Sequence, residues 1–225
     1  MVDILFISDY VCPHCVVAKA SLKEALKQSG IEANITWQPY ELTWEPAVRV
    51  DTYHDEKRKA GYQICVEPAK ALGLDIKLPP AIIPRPYSRL AFEGWYFACE
   101  HGKGEEYNDA VYNAYFIDEK DIGEIPVLKE IAERVGLNGE TFAKALEEGT
   151  YYEKQKKARE YSKNVLQPQG VPTMYVNGKK VTLNNYSVEE MIGILQGNNA
   201  EAKGGGIYCS PDGCYIGDLL GMDEE

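Results

Sequence analysis

Two cysteines stand three residues apart near the start of the chain, in the segment Cys12-Pro13-His14-Cys15. The apolar run at residues 4–7 is typical of a buried strand, and the apolar spacing that follows the cysteines is typical of a helix. Proline fits the first helical position, because its missing N–H would lack a helical partner there. Cys12 is then the N-cap residue, and we expect its side chain to accept hydrogen bonds from the N–H groups of His14 and Cys15.

The two thiols are expected to differ in ionisation and in burial. The N–H donors, the positive end of the helix dipole and a His14 cation would all favour the thiolate form of Cys12. Cys15 shares the inward stripe of the helix with Ala18 and Leu22. The sequence therefore predicts an exposed, reactive Cys12 and a recessed Cys15 that closes a disulfide with it. Pro13 and His14 are the predicted tuning residues of the pair.

Half of a zinc site is the competing interpretation of a CxxC pair. A zinc site needs about four ligands, and no second cysteine pair of suitable spacing follows on a neighbouring loop. A CxxC pair at a strand-to-helix junction is typical of thioredoxin-like redox proteins. We therefore predict redox chemistry with no metal and no cofactor, because the disulfide itself carries the electrons.

Composition narrows the class of protein. The chain has 225 residues, 44% of them hydrophobic, and a formal net charge of −11. This charge argues against binding to nucleic acid, which depends on clustered Lys and Arg, and against anionic membranes. No apolar run approaches the ~18–20 residues that span a bilayer. Met1 leads directly into the first strand with no signal peptide, so we expect a cytoplasmic protein, unless the chain is a trimmed secreted one.

The order of strand and helix patterns predicts an α/β protein with a thioredoxin fold. A βαβ pattern opens the chain, a long helical block follows, and a strand, the hairpin signal Asn177-Gly178 and a helix with a capping box at Ser187 come last. The all-helical insertion thus separates the βαβ half from the ββα half. The predicted parts are residues 1–45 (βαβ half), 46–166 (helical insertion), 167–197 (ββα half) and 198–225 (linker and cysteine-containing tail).

Within the insertion, the apolar spacing predicts a series of helices joined by short turns. Pro68 falls inside the first of them, where we expect a kink or a break. The predicted helices cover about residues 56–72, 88–100, 104–117, 125–135, 139–147 and 151–165.

The chain resembles the DsbA family of thiol–disulfide oxidoreductases over residues 3–196, through the CPHC segment, the helical insertion and Gly170-Val171-Pro172-Thr173. Residues 8–11 and the C-terminal extension resemble the FrnE-like branch. The resemblance implies a cis Pro172 that faces the cysteines, and a substrate-binding loop of Val171, Pro172 and Thr173. The exposed backbone of Val171 would hydrogen-bond an extended substrate.

One departure concerns proton transfer, because some members of the wider thioredoxin group bury an acid in the first strand. Here that strand has none, and Asp9 is the carboxylate near the cysteines. Asp9 is either a proton relay or a solvated loop residue.

Four further cysteines lie outside the CPHC segment. Cys65 and Cys99 fall on apolar helical stripes, which predicts core packing and leaves a disulfide between them open. Cys209 and Cys214 flank a turn signal in the tail. Three interpretations stay open for this pair: a second redox pair that exchanges with Cys12 and Cys15 or with an outside reductant, a structural disulfide that fastens the tail, and a metal-binding or solvated tail.

The pattern as a whole predicts a thiol–disulfide oxidoreductase that reduces, oxidises or isomerises protein or peptide disulfides. Its redox partner, a small molecule or a protein, is not indicated by the sequence. A glutathione-dependent transferase or isomerase of the kappa or hydroxychromene carboxylate isomerase type is the first alternative. Such enzymes typically carry a lone serine at the helix start, where this chain has Cys12. The second alternative is a redox-sensing or zinc-binding interaction module.

Overall fold

A four-stranded mixed sheet lies at the centre of the computed structural model, in the order β2-β1-β3-β4. The structure describes residues 1–197, 207–211 and 213–216. Strand β1 pairs in parallel with β2, and β3 pairs antiparallel with both β1 and β4. The strands are β1 (Val2–Ser8), β2 (Ala33–Pro39), β3 (Thr173–Val176) and β4 (Lys179–Val181).

Helices join and cover this sheet. Helix α1 (Pro13–Ser29) connects β1 to β2, and α9 (Val188–Leu195) follows β4. Between β2 and β3 the chain forms α2 (Glu56–Gln63), α3 (Val66–Ala71), α4 (Arg89–Glu100), α5 (Gly104–Phe116), α6 (Ile125–Arg134), α7 (Gly139–Glu147) and α8 (Tyr152–Tyr161), which continues into a π-helical turn (Ser162–Leu166). This is the predicted thioredoxin fold with a helical insertion.

The local sequence signals act as predicted at several boundaries. Asn177 and Gly178 both take the left-handed backbone that a two-residue hairpin requires. The Ser187 hydroxyl accepts the Glu190 N–H at 3.0 Å and caps α9. The helix predicted at residues 56–72 is instead two helices that break before Pro68. Proline becomes the third residue of α3, where an N–H would lack a helical partner.

The helical block is joined to the sheet half by close packing and by a buried charge. Lys19 of α1 is 3% exposed, and its ammonium lies 2.8 Å from Asp109 of α5 and over the rings of Trp37 and Tyr112. Within the block, α4 approaches its neighbours at Gly94. A methyl group there would come within 2.3 Å of the Tyr107 hydroxyl and 2.6 Å of the Phe142 ring.

A second, two-stranded sheet follows the thioredoxin part. It is a hairpin of β5 (Ile207–Ser210) and β6 (Gly213–Ile216), with Ser210 opposite Gly213. The predicted linker at residues 198–206 lies outside the described residues, as does Asp212 of the predicted turn. Within the described part of the chain, every helix is too short or too polar to cross a bilayer.

Candidate active site

Cys12 takes the N-cap position of α1, as predicted, but its side chain does not cap the helix. Its backbone is extended, with φ −91° and ψ 117°, and its carbonyl accepts the Cys15 N–H at 3.1 Å. The Cys12 Sγ instead donates to the carbonyl of Val171, 3.5 Å away and 159 residues later in the chain. The predicted hydrogen bonds from the N–H groups to Cys12 Sγ are therefore wrong. The thiol faces the loop before β3.

Cys12, His14 and Cys15 are all 0% exposed. The prediction of an exposed Cys12 is wrong for this conformation, while the prediction of a recessed Cys15 is confirmed. Cys12 contacts the loop opposite at Val171, which is also fully buried and pairs with the tail hairpin.

The loop opposite the cysteines has the predicted cis peptide bond between Val171 and Pro172. The Thr173 hydroxyl donates to the carbonyl of Gly170 at 2.7 Å, which closes the loop on itself. The Val171 N–H donates to the carbonyl of Cys209 at 2.7 Å, and the Cys209 N–H donates back at 2.6 Å. The predicted exposure of the Val171 backbone is therefore wrong, because the tail of the same chain already occupies both of its hydrogen-bonding groups.

Besides Val171, the tail hairpin contacts the rest of the protein at Gly170 and at Arg58. Gly170 lets it approach, since a methyl group there would come within 2.3 Å of the Tyr208 ring and 2.4 Å of the Cys209 carbonyl. Arg58 of α2 donates to the carbonyl of Pro211 at 3.3 Å. Cys209 is 2% exposed and disulfide-bonded, and the backbone of Cys214 lies opposite it in the hairpin.

The burial of Cys15 changes the pKa of its thiol. Burial, and after it the hydrogen bond and charge of Cys12, raise the pKa of Cys15 well above its ordinary value. Asp9 is also 0% exposed, so it is not a solvated loop residue. Burial raises the pKa of Asp9, although Ser88, the Leu42 N–H at 2.7 Å and other partners oppose the rise. Asp9 affects the pKa of Cys15 in two ways: a hydrogen bond to its backbone lowers that pKa, and the charge of its carboxylate raises it.

His14 does not carry the predicted positive charge in this conformation. Burial lowers its pKa to about 3, which leaves the ring neutral at physiological pH. Its Nδ1 lies 3.1 Å from the Sγ of Cys65, which is 0% exposed. Sequence reasoning missed this contact, because Cys65 follows His14 by 51 residues.

Two tyrosines of the helical block hold the loop that carries the cysteines. The Tyr62 hydroxyl donates to the carbonyl of Val11, and the Tyr112 hydroxyl donates to the carbonyl of Asp9, both at 3.3 Å. Both side chains are buried. A high tyrosine content, 16 residues against 5 phenylalanines, is the signal in the sequence that hydroxyls are needed inside this core.

The predicted core packing is found for Cys65 but not for Cys99. Cys65 is buried as predicted, but Cys99 is exposed, because it lies in the last turn of α4 outside the buried positions 96–98. Cys12, Cys15, Cys65 and Cys99 are all free thiols. Among the described residues, no group of His, Cys, Asp and Glu side chains has an arrangement that could hold a metal ion.

The fold is that of a DSBA-like thioredoxin protein. Residues 3–196 match the DSBA-like thioredoxin domain family, and the chain belongs to that family. It is 40% identical over 176 residues to the uncharacterized protein YwbO of Bacillus subtilis, covering 78% of this chain and 86% of that one.

Two solved structures share the fold at low sequence identity. A probable DsbA oxidoreductase, SCO1869 of Streptomyces coelicolor, matches with a TM-score of 0.72 and 23% identity, covering 96% of this chain and 99% of that one. The cytosolic disulfide reductase DsbM of Pseudomonas aeruginosa with GSH matches with a TM-score of 0.65 and 17% identity, covering 87% and 98%.

Proposed function

We propose that this protein is a thiol–disulfide oxidoreductase for protein or peptide disulfides, with Cys12 as the attacking thiol and Cys15 as the resolving thiol. The observation that carries the proposal is the approach of Cys12 Sγ to within 3.5 Å of the Val171 carbonyl. The Cys12 thiol therefore lies beside the backbone of Val171, whose N–H and carbonyl hydrogen-bond the extended tail.

In the reductive direction the Cys12 thiolate attacks one sulfur of a substrate disulfide. A mixed disulfide forms, and the other substrate sulfur leaves as a thiolate that takes up a proton. Cys15 then loses its proton and attacks Cys12 Sγ, which releases the second substrate thiol. Two electrons have passed to the substrate, and Cys12–Cys15 remains as the enzyme disulfide until an external thiol reduces it.

Cys15 needs a base for the second step, because its raised pKa keeps it protonated. We assign this task to Asp9, which is buried and interacts with Cys15. Its own raised pKa makes it a better proton acceptor than an exposed carboxylate. Asp9→Asn should slow release from the mixed disulfide and leave formation of the mixed disulfide unchanged.

The tail hairpin occupies the position proposed for substrate, so it must leave before substrate binds. Its disulfide-bonded Cys209 sits on Val171, where the sulfur of a bound substrate would lie. We assign Cys214 as its partner from the backbone register. Cys15→Ser distinguishes the two roles proposed for the pair. A trapped Cys12–Cys209 bond, detected by peptide mass spectrometry, indicates redox exchange, whereas an intact tail disulfide beside a free Cys12 indicates fastening.

The test of the proposal is reduction of insulin disulfides, with dithiothreitol and with glutathione as the reductant, the second because DsbM was solved with GSH. Wild type should turn over, Cys12→Ser should be inert, and Cys15→Ser should accumulate a mixed disulfide. Cys99→Ser is the matched control, because it removes an exposed thiol in α4. Glutathione conjugation without disulfide turnover would assign the transferase class, and the absence of both activities would refute the proposal.

A further inference from the structure

Cys65 is fixed in place at the junction of α2 and α3. Its N–H donates to the carbonyl of Tyr62 at 3.0 Å, and its carbonyl accepts the Ala69 N–H at 2.9 Å. The Tyr62 hydroxyl ties the same segment to the loop before Cys12. The backbone of Cys65 therefore holds its Sγ against His14, at 3.1 Å from Nδ1.

The protonation states of the two side chains determine which hydrogen bonds they can form with each other. Burial, and after it the negative charge of Cys12, raise the pKa of Cys65, so the thiol keeps its proton even when Cys12 is a thiolate. The His14 ring is neutral and carries one N–H. A protonated thiol can donate to Nδ1, and in that arrangement the ring proton is on Nε2.

The other nitrogen of His14 has no hydrogen-bond partner in the part of the chain that the structure describes, although it is fully buried. Buried polar groups without partners are rare in proteins, and a redox or catalytic role is one explanation for them. The Cys12 sulfur is the group that becomes negative in the proposed reaction, and it lies two residues before His14 at the start of the same helix.

We propose that Cys65 is a positioning residue of the redox centre: its thiol holds His14 in the neutral tautomer with the proton on Nε2, and so keeps that N–H as the available donor of the site. The effect on catalysis rests on the proposed function, whereas the tautomer does not. Without the thiol, Nδ1 becomes a buried acceptor with no donor, and the ring proton moves to it. The site then loses its donor, and the dithiol form of the Cys12–Cys15 pair becomes less stable than before.

The tautomer is measured by ¹⁵N NMR of the reduced protein, with the His14 signals assigned by comparison with His14→Gln. Wild type should show protonated Nε2 and unprotonated Nδ1 across neutral pH. Cys65→Ser keeps a donor and should retain this pattern, whereas Cys65→Ala should lose it. Cys99→Ala removes an exposed thiol that does not contact His14 in the described part of the chain, and it should change nothing. A wild-type ring with its proton on Nδ1, or the same tautomer in Cys65→Ala, would overturn the proposal.

The second readout is the equilibrium constant of the Cys12–Cys15 pair with glutathione. Cys65→Ala should shift it toward the disulfide form by about fivefold, the factor that one neutral hydrogen bond contributes, and Cys65→Ser should restore it. If Cys65→Ser behaves as Cys65→Ala does, packing and not donation is responsible, and the proposal fails. Because NMR needs no substrate, a protein with this tautomer but without disulfide turnover would refute the proposed function and leave the role of Cys65 standing.

Discussion

Gly170→Ala should release the tail hairpin from the loop opposite the cysteines. The new methyl group would come within 2.3 Å of the Tyr208 ring and 2.4 Å of the Cys209 carbonyl. A backbone carbonyl cannot move aside alone, so the hairpin must shift away from Val171. The two backbone hydrogen bonds that join Val171 to Cys209 would then break.

The size of the effect follows from those two bonds. Each contributes ~1 kcal/mol net, so the docked state loses about 2 kcal/mol, roughly a 30-fold change in the docked-to-open ratio. The measurement is the rate at which iodoacetamide alkylates Cys12, which is 0% exposed while the hairpin is docked. We expect that rate to rise by up to about 30-fold, in proportion to the open fraction.

Two controls make this prediction specific. Gly193→Ala adds a methyl group that meets nothing within 4 Å, and it should leave the rate unchanged. In a chain that ends at residue 197, just beyond the family match, Gly170→Ala should have no effect, because Tyr208 and Cys209 are absent. A wild-type rate in full-length Gly170→Ala would refute the view that the hairpin covers Cys12. A faster rate in the shortened chain as well would show that the substitution acts on the loop itself.

Three further predictions concern stability, each measured as a free energy of unfolding. Burial raises the pKa of Glu41 from 4.5 to about 7; the native state therefore binds its proton more tightly, and stability should fall by at most about 3 kcal/mol as pH rises through that window. Glu41→Gln should remove this dependence, and an unchanged pH profile would contradict the assignment. Gly94→Ala should destabilise by about 1–3 kcal/mol through overpacking, whereas Gly193→Ala in α9 should be neutral or stabilising. Tyr62→Phe should cost about 1–2 kcal/mol, because it leaves the buried Val11 carbonyl without its donor; an unchanged midpoint of denaturant unfolding would show that this bond is not needed.

The fold was predictable because its signals are local. The start of α1 at Pro13, the turn at Asn177-Gly178 and the cap at Ser187 each depend on residues within one turn of chain. The order of the elements then selects the thioredoxin topology. The break at Cys65 was placed wrongly because proline is tolerated in a first helical turn, and the pattern does not show where that turn begins.

The state of the candidate site was not predictable, because it depends on contacts between distant parts of the chain. The Val171 carbonyl lies against Cys12, and Val171 itself pairs with Cys209, a contact that no periodicity indicates. The charge of His14 was inferred from its residue type, whereas its burial beside Cys65 decides its protonation. Local sequence therefore places the cysteines on the correct element, and tertiary contacts decide what surrounds them.

The pairing of Val171 with the tail uses only backbone groups, and this determines what kind of competitor can replace the tail. Nearly every residue has a backbone N–H and a carbonyl. Such a site therefore recognises an extended backbone conformation and depends little on the amino-acid sequence of the segment that binds. A rigid native protein whose edges are already paired has no free extended segment to offer. A newly made or damaged chain has many free extended segments. Because the tail competes for the same backbone groups, such a segment must bind Val171 more strongly than the tail does. Under the proposed function, we therefore expect the protein to act on unfolded substrates in preference to folded ones.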